Sequence, residues 1–264
     1  MNFDFDYQVD DDGVATLTFD RPERFNAITL NIYAQFRDLM ESLRYDDAVR
    51  VIVLTGRGKA FCSGGDVHEI IGSLLDADVK DHLDFTRMTG ITVRNMRLLD
   101  KPIIAAINGI AAGAGAVIAL ASDLRVMSRS ASFAFLFTKV GLTGADMGAA
   151  YLLPKMVGLG RASEILLFGD KVTAEDAERW GLANRVVEPE DVLPTAMAWA
   201  RRLAAGPSQA IRMTKRRLQT ELHMDLVAAI ESEAEAQALM MMAADHRIFH
   251  EAFTGKTEPR WTGR

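Results

Sequence analysis

The chain has 264 residues, 49% of them hydrophobic and 25% charged, with a net charge of -6. Those figures describe a globular chain long enough to bury a sizeable core, and they exclude a largely disordered one. The acidic balance argues against a broad nucleic-acid or anionic-membrane surface, while leaving room for a local basic patch that holds a phosphate-bearing ligand. A single cysteine excludes an internal disulfide and a cysteine metal cluster. Met1 to Asp6 carries acids where an export signal carries Lys or Arg, and the longest uncharged stretch, Pro102 to Ser122, is interrupted by Asn108 and by glycines. The expectation is a cytoplasmic chain without a membrane span.

Residues 7 to 20 alternate, with Val14, Leu17 and Phe19 separated by Ala15, Thr16 and Thr18 and with Asp11-Asp12-Gly13 as a hairpin turn, which predicts a strand pair. Thr29 is placed to cap a helix on which Tyr33, Phe36, Met40 and Leu43 recur at helical spacing. Val51 to Thr55 is apolar and β-branched between glycines, so it predicts a fully buried strand. After it come Lys59-Ala60-Phe61-Cys62-Ser63-Gly64-Gly65-Asp66-Val67. Adjacent glycines let another molecule approach the backbone with no Cβ in the way, and Asp66 can open a short helix from Val67 to Leu75. Free N–H groups are therefore expected near Gly65. Cys62 is a candidate nucleophile, but no His is paired with it among its neighbours, which points to a structural thiol.

Residues 68 to 100 read as helical but weakly periodic. His68, Glu69 and His82 match no helical metal-binding spacing, so no metal site is expected. Ile103 to Ile107 is a second apolar strand, followed by Asn108-Gly109-Ile110-Ala111-Ala112-Gly113-Ala114-Gly115-Ala116 and an apolar helix to Ala121. Its unsatisfied N–H groups lie near Ala114. Two strand ends, each offering an N–H donor, are what an oxyanion hole needs. Gly56-Arg57-Gly58-Lys59 lacks the hydroxyl residue of a phosphate-binding loop, and the glycines after Asn108 lack dinucleotide-binding order.

Leu124 to Met127 and Ser132 to Phe135 predict strands, and the loop from Phe137 to Gly148 carries one acid, Asp146, ahead of a helix beginning near Ala149. Asp146 is either a proton-transfer group or a cap for that helix. Helices are expected over Arg161 to Phe168 and from Thr173 to Gly181, with a closing strand at Val186-Val187. Residues 194 to 221 read as helical, with Arg212, Lys215, Arg216 and Arg217 on a solvated basic face, and Leu222 to Phe249 as one long helix carrying Met240 to Met242.

Arg21-Pro22-Glu23 with Asn26-Ala27, then Ala60 to Asp66, then Pro102 through Asn108-Gly109, Gly113-Ala114-Gly115 and Asp123, resemble the crotonase (enoyl-CoA hydratase/isomerase) superfamily. The resemblance runs through to Phe253, Lys256 and Trp261. It implies an α/β fold: a crotonase-type spiral of ββα units with a helical C-terminal oligomerisation region, residues 1–200 forming the acyl-CoA-binding core and 201–264 the helical region. It also implies a homotrimer or homohexamer, an acyl-CoA thioester as partner, and no tightly bound cofactor beyond the coenzyme A of the substrate.

By the same resemblance, the N–H groups of Gly65 and Ala114 hold the thioester oxygen. Arg24, Phe25, Ala27, Ala60, Ser63, Gly64, Gly65, Asp66, Val67, His68 and Ala114 lie along the coenzyme, and Lys256 and Trp261 close over it, often from a neighbouring subunit. The two glutamates of the family's hydratases fall on Val117 and Phe137 of the substrate pocket, where neither side chain transfers a proton. Counted back from Leu153-Pro154-Lys155, Asp146 matches a loop aspartate resembling the catalytic acid of dienoyl-CoA isomerases and the nucleophile of chlorobenzoyl-CoA dehalogenases; counted forward from Gly141, Gly144 takes that place. Three readings stay open: hydratase or isomerase chemistry through Asp146, hydrolytic or dehalogenase-like chemistry with Asp146 as nucleophile or water-directing group, and a non-catalytic acyl-CoA-binding protein.

Overall fold

The computed structural model describes residues 3–264, the side chains of residues 71 and 73 apart; Met1 and Asn2, at the head of the acidic amino terminus, lie outside the described residues. Strands β1 (Asp6–Val9) and β2 (Val14–Phe19) pair antiparallel around a turn in which Gly13 has a φ of 78°. Beyond them the chain repeats a strand, a second strand and helix: β3 (Val51–Gly56) with β4 (Ala60–Cys62), β5 (Ile103–Ile107) with β6 (Ile110–Ala112), and β7 (Leu124–Ser128) with β8 (Ser132–Ala134). The first member of each pair enters a six-stranded sheet, and the second enters a four-stranded one. Strands β9 (Lys171–Thr173) and β10 (Arg185–Val187) complete the smaller and larger sheets, in the orders β4-β6-β8-β9 and β1-β2-β3-β5-β7-β10. All described pairings are parallel except β1 with β2 and β8 with β9. This is the expected spiral.

Parallel strands covered on both faces must be apolar throughout, and β3 and β5 are buried along their whole length. On one side lie α1 (Leu30–Ser42), the short α2 (Gly72–Leu74), α3 (Val79–Leu98) and α4 (Ala114–Ala121), followed by α5 (Ala149–Val157), α6 (Leu159–Phe168) and α7 (Ala174–Arg179). Thr29 caps α1 as expected, its Oγ1 accepting from Ile32 N at 3.2 Å. The other face of the larger sheet packs Val14, Val51, Val53, Ile104 and Val126 against Ala196, Ala200 and Ala204 of α8 (Val192–Ala204). Alanines four apart present a flat stripe on which the helix can lie close to the strands.

The C-terminal part differs from the expectation in two ways. Residues 194 to 221 are helical as expected, in two helices, α8 and α9 (Ser208–Thr220), because Pro207 has no N–H to continue the first. The long helix is likewise two, α10 (Leu226–Met242) and α11 (Ala244–Gly255), broken where Ala243 is extended. The basic face of α9 is not solvated throughout: Lys215 is 7% exposed and donates to Lys101 O and Asp123 Oδ2, each at 2.7 Å, while Arg212 pairs with Asp100 at 2.9 Å. Among the described residues, no helix is long and apolar enough to cross a membrane.

Candidate active site

The glycine turn after β4 is built by a single bridge. Ile28 N–H donates to Gly64 O at 2.8 Å, and Asp66 N–H donates to Ile28 O at 2.9 Å, so the bridge uses the groups on either side of Gly65. Gly65's own N–H is left without a partner among the described residues. Ser63 N–H donates to Phe25 O at 3.0 Å, fastening the exposed Arg24–Phe25 loop beside the turn. Phe25 and Asn26 both have positive φ, at 49° and 58°. The Asn26 side chain holds that conformation by accepting from Arg21 N at 2.9 Å and donating to Arg57 O at 3.0 Å and Ala60 O at 2.7 Å. Neither its backbone conformation nor this role was legible from its place in the motif.

Asp66 opens a π-helical turn, Val67–Ile71, rather than a regular helix, and its Oδ1 accepts from His68 N at 3.0 Å and Glu69 N at 3.2 Å. Burial alone would raise this carboxyl; those two N–H groups and Arg21, 3.0 Å away, outweigh it and hold it below its ordinary value.

The second turn is cut to fit the first. Gly113, at a φ of 49°, donates to Ala134 O at 2.8 Å and accepts from Val117 N at 3.2 Å as the N-cap of α4. Ala114 N–H, one of the orphans of the helix start, has no partner among the described residues. A Cβ on Gly64 would stand 3.4 Å from Ala114 N, and one on Gly115 would stand 2.2 Å from Cys62 O. Glycine at both positions thus lets α4 meet the end of β4, and the two free N–H groups belong to touching turns. That arrangement suits negative charge developing on a carbonyl oxygen.

Asp146 does not cap the following helix. Gly148, at a φ of 91°, is the N-cap of α5, no side chain caps it, and Asp146 contributes only its carbonyl, which accepts from Ala149 N at 2.8 Å. The capping reading fails because Met147, at a φ of 48° and 6% exposed, turns the chain between the carboxylate and the helix. The Asp146 side chain is half-buried, and burial raises its carboxyl, partly offset by a hydrogen bond from Met147 N–H. Tyr33 of α1, read from sequence only as helix core, shares this region: its hydroxyl is pushed well above its ordinary value by burial first, then by the neighbouring Cys62 and Asp146.

The remaining residues divide. Ala27, Ala60 and Gly64 are buried in the turn's supports, and Val67 and His68 are exposed beside it. Val117 is fully buried and Phe137 is 8% exposed, leaving Asp146 as the proton-carrying side chain of these three positions. Burial pushes the Cys62 thiol up to about 12, which keeps it protonated and inert at neutral pH. Lys256 ends α11 at a φ of 51°, and Trp261 lines a groove of about 680 Å³ among α9, α10 and α11 that none of the turn residues lines. Trp261 thus faces that groove, whose lining holds none of the turn residues.

Residues 10–264 match the family described as Enoyl-CoA hydratase/isomerase. The chain is 35% identical over 252 residues to the 1,2-epoxyphenylacetyl-CoA isomerase of Escherichia coli K12, covering 96% of each. It is 29% identical over 252 residues to the crotonyl-CoA hydratase of Syntrophomonas wolfei, covering 95% of each. A crystal structure from Streptomyces coelicolor A3(2), described as a candidate enoyl-CoA hydratase, superposes with a TM-score of 0.96 at 52% identity, over 98% of this chain and 94% of that one. Hydratases and an isomerase both align end to end, so likeness alone does not choose the reaction.

Proposed function

The chain belongs to the enoyl-CoA hydratase/isomerase family, and from that premise we propose that it isomerises unsaturated acyl-CoA thioesters, with Asp146 carrying the proton. What supports this most is the lone carboxylate: positions 117 and 137, on which the family's hydratase glutamates fall by the resemblance, are Val and Phe, and Asp146 is the acid of the loop that follows. Hydration divides its work between one group that activates water and another that delivers a proton to the α-carbon. Isomerisation moves one proton between two carbons of the same molecule, and one base can take it and return it.

In this reading, Gly65 N–H and Ala114 N–H hold the thioester oxygen, stabilising the enolate formed when Asp146 removes a proton from carbon. Losing one such donor costs about 3 kcal/mol of transition-state stabilisation. Partial burial suits the base, since a carboxyl raised toward neutrality returns its proton more readily. The coenzyme runs out over the Arg24–Phe25 loop and Ser63, and the acyl group enters the apolar side, where the Escherichia coli relative's named substrate supports a ring-bearing group. The chain assembles as a homotrimer or homohexamer, and Lys256 and Trp261 reach a neighbour's coenzyme from there.

Mass spectrometry of linear enoyl-, dienoyl- and aromatic acyl-CoA esters, incubated with the protein in normal and oxygen-18 water, tests the reaction. An unchanged mass with a shifted ultraviolet spectrum is expected. Gain of water would establish a hydratase, and labelled acid with free coenzyme A a hydrolase; no change across the panel would leave a binding protein. Asp146→Asn should lower turnover by about 10²- to 10⁴-fold while CoA-ester binding holds. Unchanged turnover would remove Asp146 from the mechanism.

A further inference from the structure

Gly64 and Gly65 are the freest backbone in the turn after β4, since neither carries a Cβ that favours one conformation, and Gly64 sits at a φ of 104°. The direction of Gly65 N–H must therefore be imposed by contacts from outside the pair. That N–H belongs to the same planar peptide group as Gly64 O, and in a trans peptide the two point opposite ways. Whatever holds Gly64 O thus aims Gly65 N–H. The holder is Ile28 N–H, which donates to Gly64 O at 2.8 Å.

The same geometry reaches one peptide group further back. Ile28 N–H shares its peptide group with Ala27 O, and that oxygen accepts from Arg21 Nη1 at 2.8 Å. The guanidinium is fixed from the other side of the turn, with Nη1 3.0 Å from Asp66 Oδ2 and Nη2 3.5 Å from Glu69 Oε1. The Arg21 backbone is fixed as well: its N–H donates to Asn26 Oδ1, and its carbonyl accepts from Arg24 N and Asn26 N, each at 2.9 Å. The side chains of Arg21 and Asp66 are only 22% and 6% exposed, so water competes little for these contacts. An ion pair that served the fold alone would end at Asp66. The bond to Ala27 O goes beyond it, and it leads to Gly65.

We propose that Arg21 is the positioning residue of the oxyanion site: through the peptide groups 27–28 and 64–65 it aims Gly65 N–H at the thioester oxygen. This rests on the reading of Gly65 and Ala114 as the holders of that oxygen. Arg21 touches no substrate in this role. It keeps a donor aimed in advance, which is how such donors gain their effect, because no reorganisation is left to be done as charge develops.

Infrared spectroscopy of butyryl-CoA carrying carbon-13 at its carbonyl reads the aim of the donors, when recorded with the site saturated so that weaker binding does not enter. Hydrogen bonds to a carbonyl lower its stretching frequency, and the wild type should lower it below that of the free ester in buffer. Arg21→Met should move the band part of the way back, with Ala114 N–H still in place. Turnover of an unsaturated ester should fall by up to the roughly 10²- to 10³-fold that losing one donor costs.

Because Arg21→Met strands a buried carboxylate at Asp66, Arg21→Met combined with Asp66→Asn is the second variant. Asparagine keeps an oxygen for the N–H groups of His68 and Glu69 and removes the stranded charge. The band should stay shifted back, because Ala27 O is still unheld. A band that keeps its wild-type position in Arg21→Met overturns the proposal. So does one that the second variant restores, since Arg21 would then act only by neutralising Asp66. A wild-type band no lower than that of the free ester overturns the oxyanion reading and this inference together. If the bands behave as expected while Asp146→Asn keeps full turnover, the isomerase mechanism falls and the Arg21 assignment stands.

Discussion

Arg125, in strand β7, is 4% exposed, whereas Met242, at the end of α10, is 86% exposed. The cation is hidden because the core supplies acceptors: Arg125 donates to Leu182 O and Ser122 O, each at 2.6 Å, and Lys101 donates to Leu43 O at 2.5 Å and to Asp46 O. The methionine is bare because nothing in its own chain covers it, and Leu226, Val227, Ile230, Leu239 and Phe253 share its condition, all more than half exposed. In the middle of the spiral, the strands β3 and β5 are covered by the same chain, and the buried cations beside them have acceptors from it. On α10 and α11 the apolar surface fits contact with a second copy. Lys215 and Arg212 of α9, paired with Asp123 and Asp100, fasten the one region to the other.

The comparison breaks most severely at Gly115. In Gly115→Ala the new Cβ would lie 2.2 Å from Cys62 O and 2.7 Å from Cys62 Cβ, with backbone and a packed side chain in the way. We expect a loss of about 3 kcal/mol or more in urea unfolding, with turnover lost as α4 is pushed off β4. Gly65→Ala sharpens the point, because its Cβ meets only Ile70 at 3.5 Å and Tyr33 at 3.9 Å, which is ordinary contact. Its stability should stay within about 0.5 kcal/mol of the wild type. Equal losses in the two variants would mean that the close approach at Gly115 is not what holds the turns together.

On the other side, Val227→Lys with Met242→Lys should leave the unfolding of the core within about 0.5 kcal/mol, because both residues are exposed at 77% and 86%. If the proposed assembly forms through this face, sedimentation should nevertheless show the double variant shifting to monomer, with coenzyme binding weakened as well. A wild type that is monomeric, or a double variant that assembles normally, would show that this face is not the contact between copies.

The same division governs what could be read from the chain. The hairpin at Asp11 to Gly13, the buried runs of β3 and β5 and the Thr29 cap were legible because their signals are local: turn chemistry, β-branched runs and a side chain within reach of its own helix. The glycine turns at Gly65 and Ala114 were legible for the same reason. The burial of Lys215 was not, because its partners Lys101 and Asp123 lie on distant segments and a charged helix face looks alike whether it meets water or carboxylates. The break at Ala243 carries no glycine or proline to announce it. At the site, Gly148 was the available sign that Asp146 is not the cap, since glycine readily takes the left-handed conformation found there. Tyr33 gave no sign, because its spacing on α1 is that of a core residue.

Asp146 is the exception within the core, and it supplies the smallest effect. Where Arg125 and Lys215 are met by several partners, the Asp146 carboxylate is half-buried and accepts from Met147 N–H. Burial raises its folded value above the unfolded one of about 3.9, so the folded state holds this proton more tightly than the unfolded chain does. The protonated carboxyl therefore contributes stability fully below the unfolded value, and that contribution is lost as pH rises through the folded value. Asparagine carries no charge at any pH. Asp146→Asn should then be more stable than the wild type near neutrality, by less than about 1 kcal/mol, with the gap closing as pH falls toward about 4. Urea unfolding of both proteins across that range reads the difference directly. A gap that stays constant with pH, or a variant less stable at neutrality, would mean that the carboxylate is comfortably solvated in the fold and is not the poised base that isomerisation asks for.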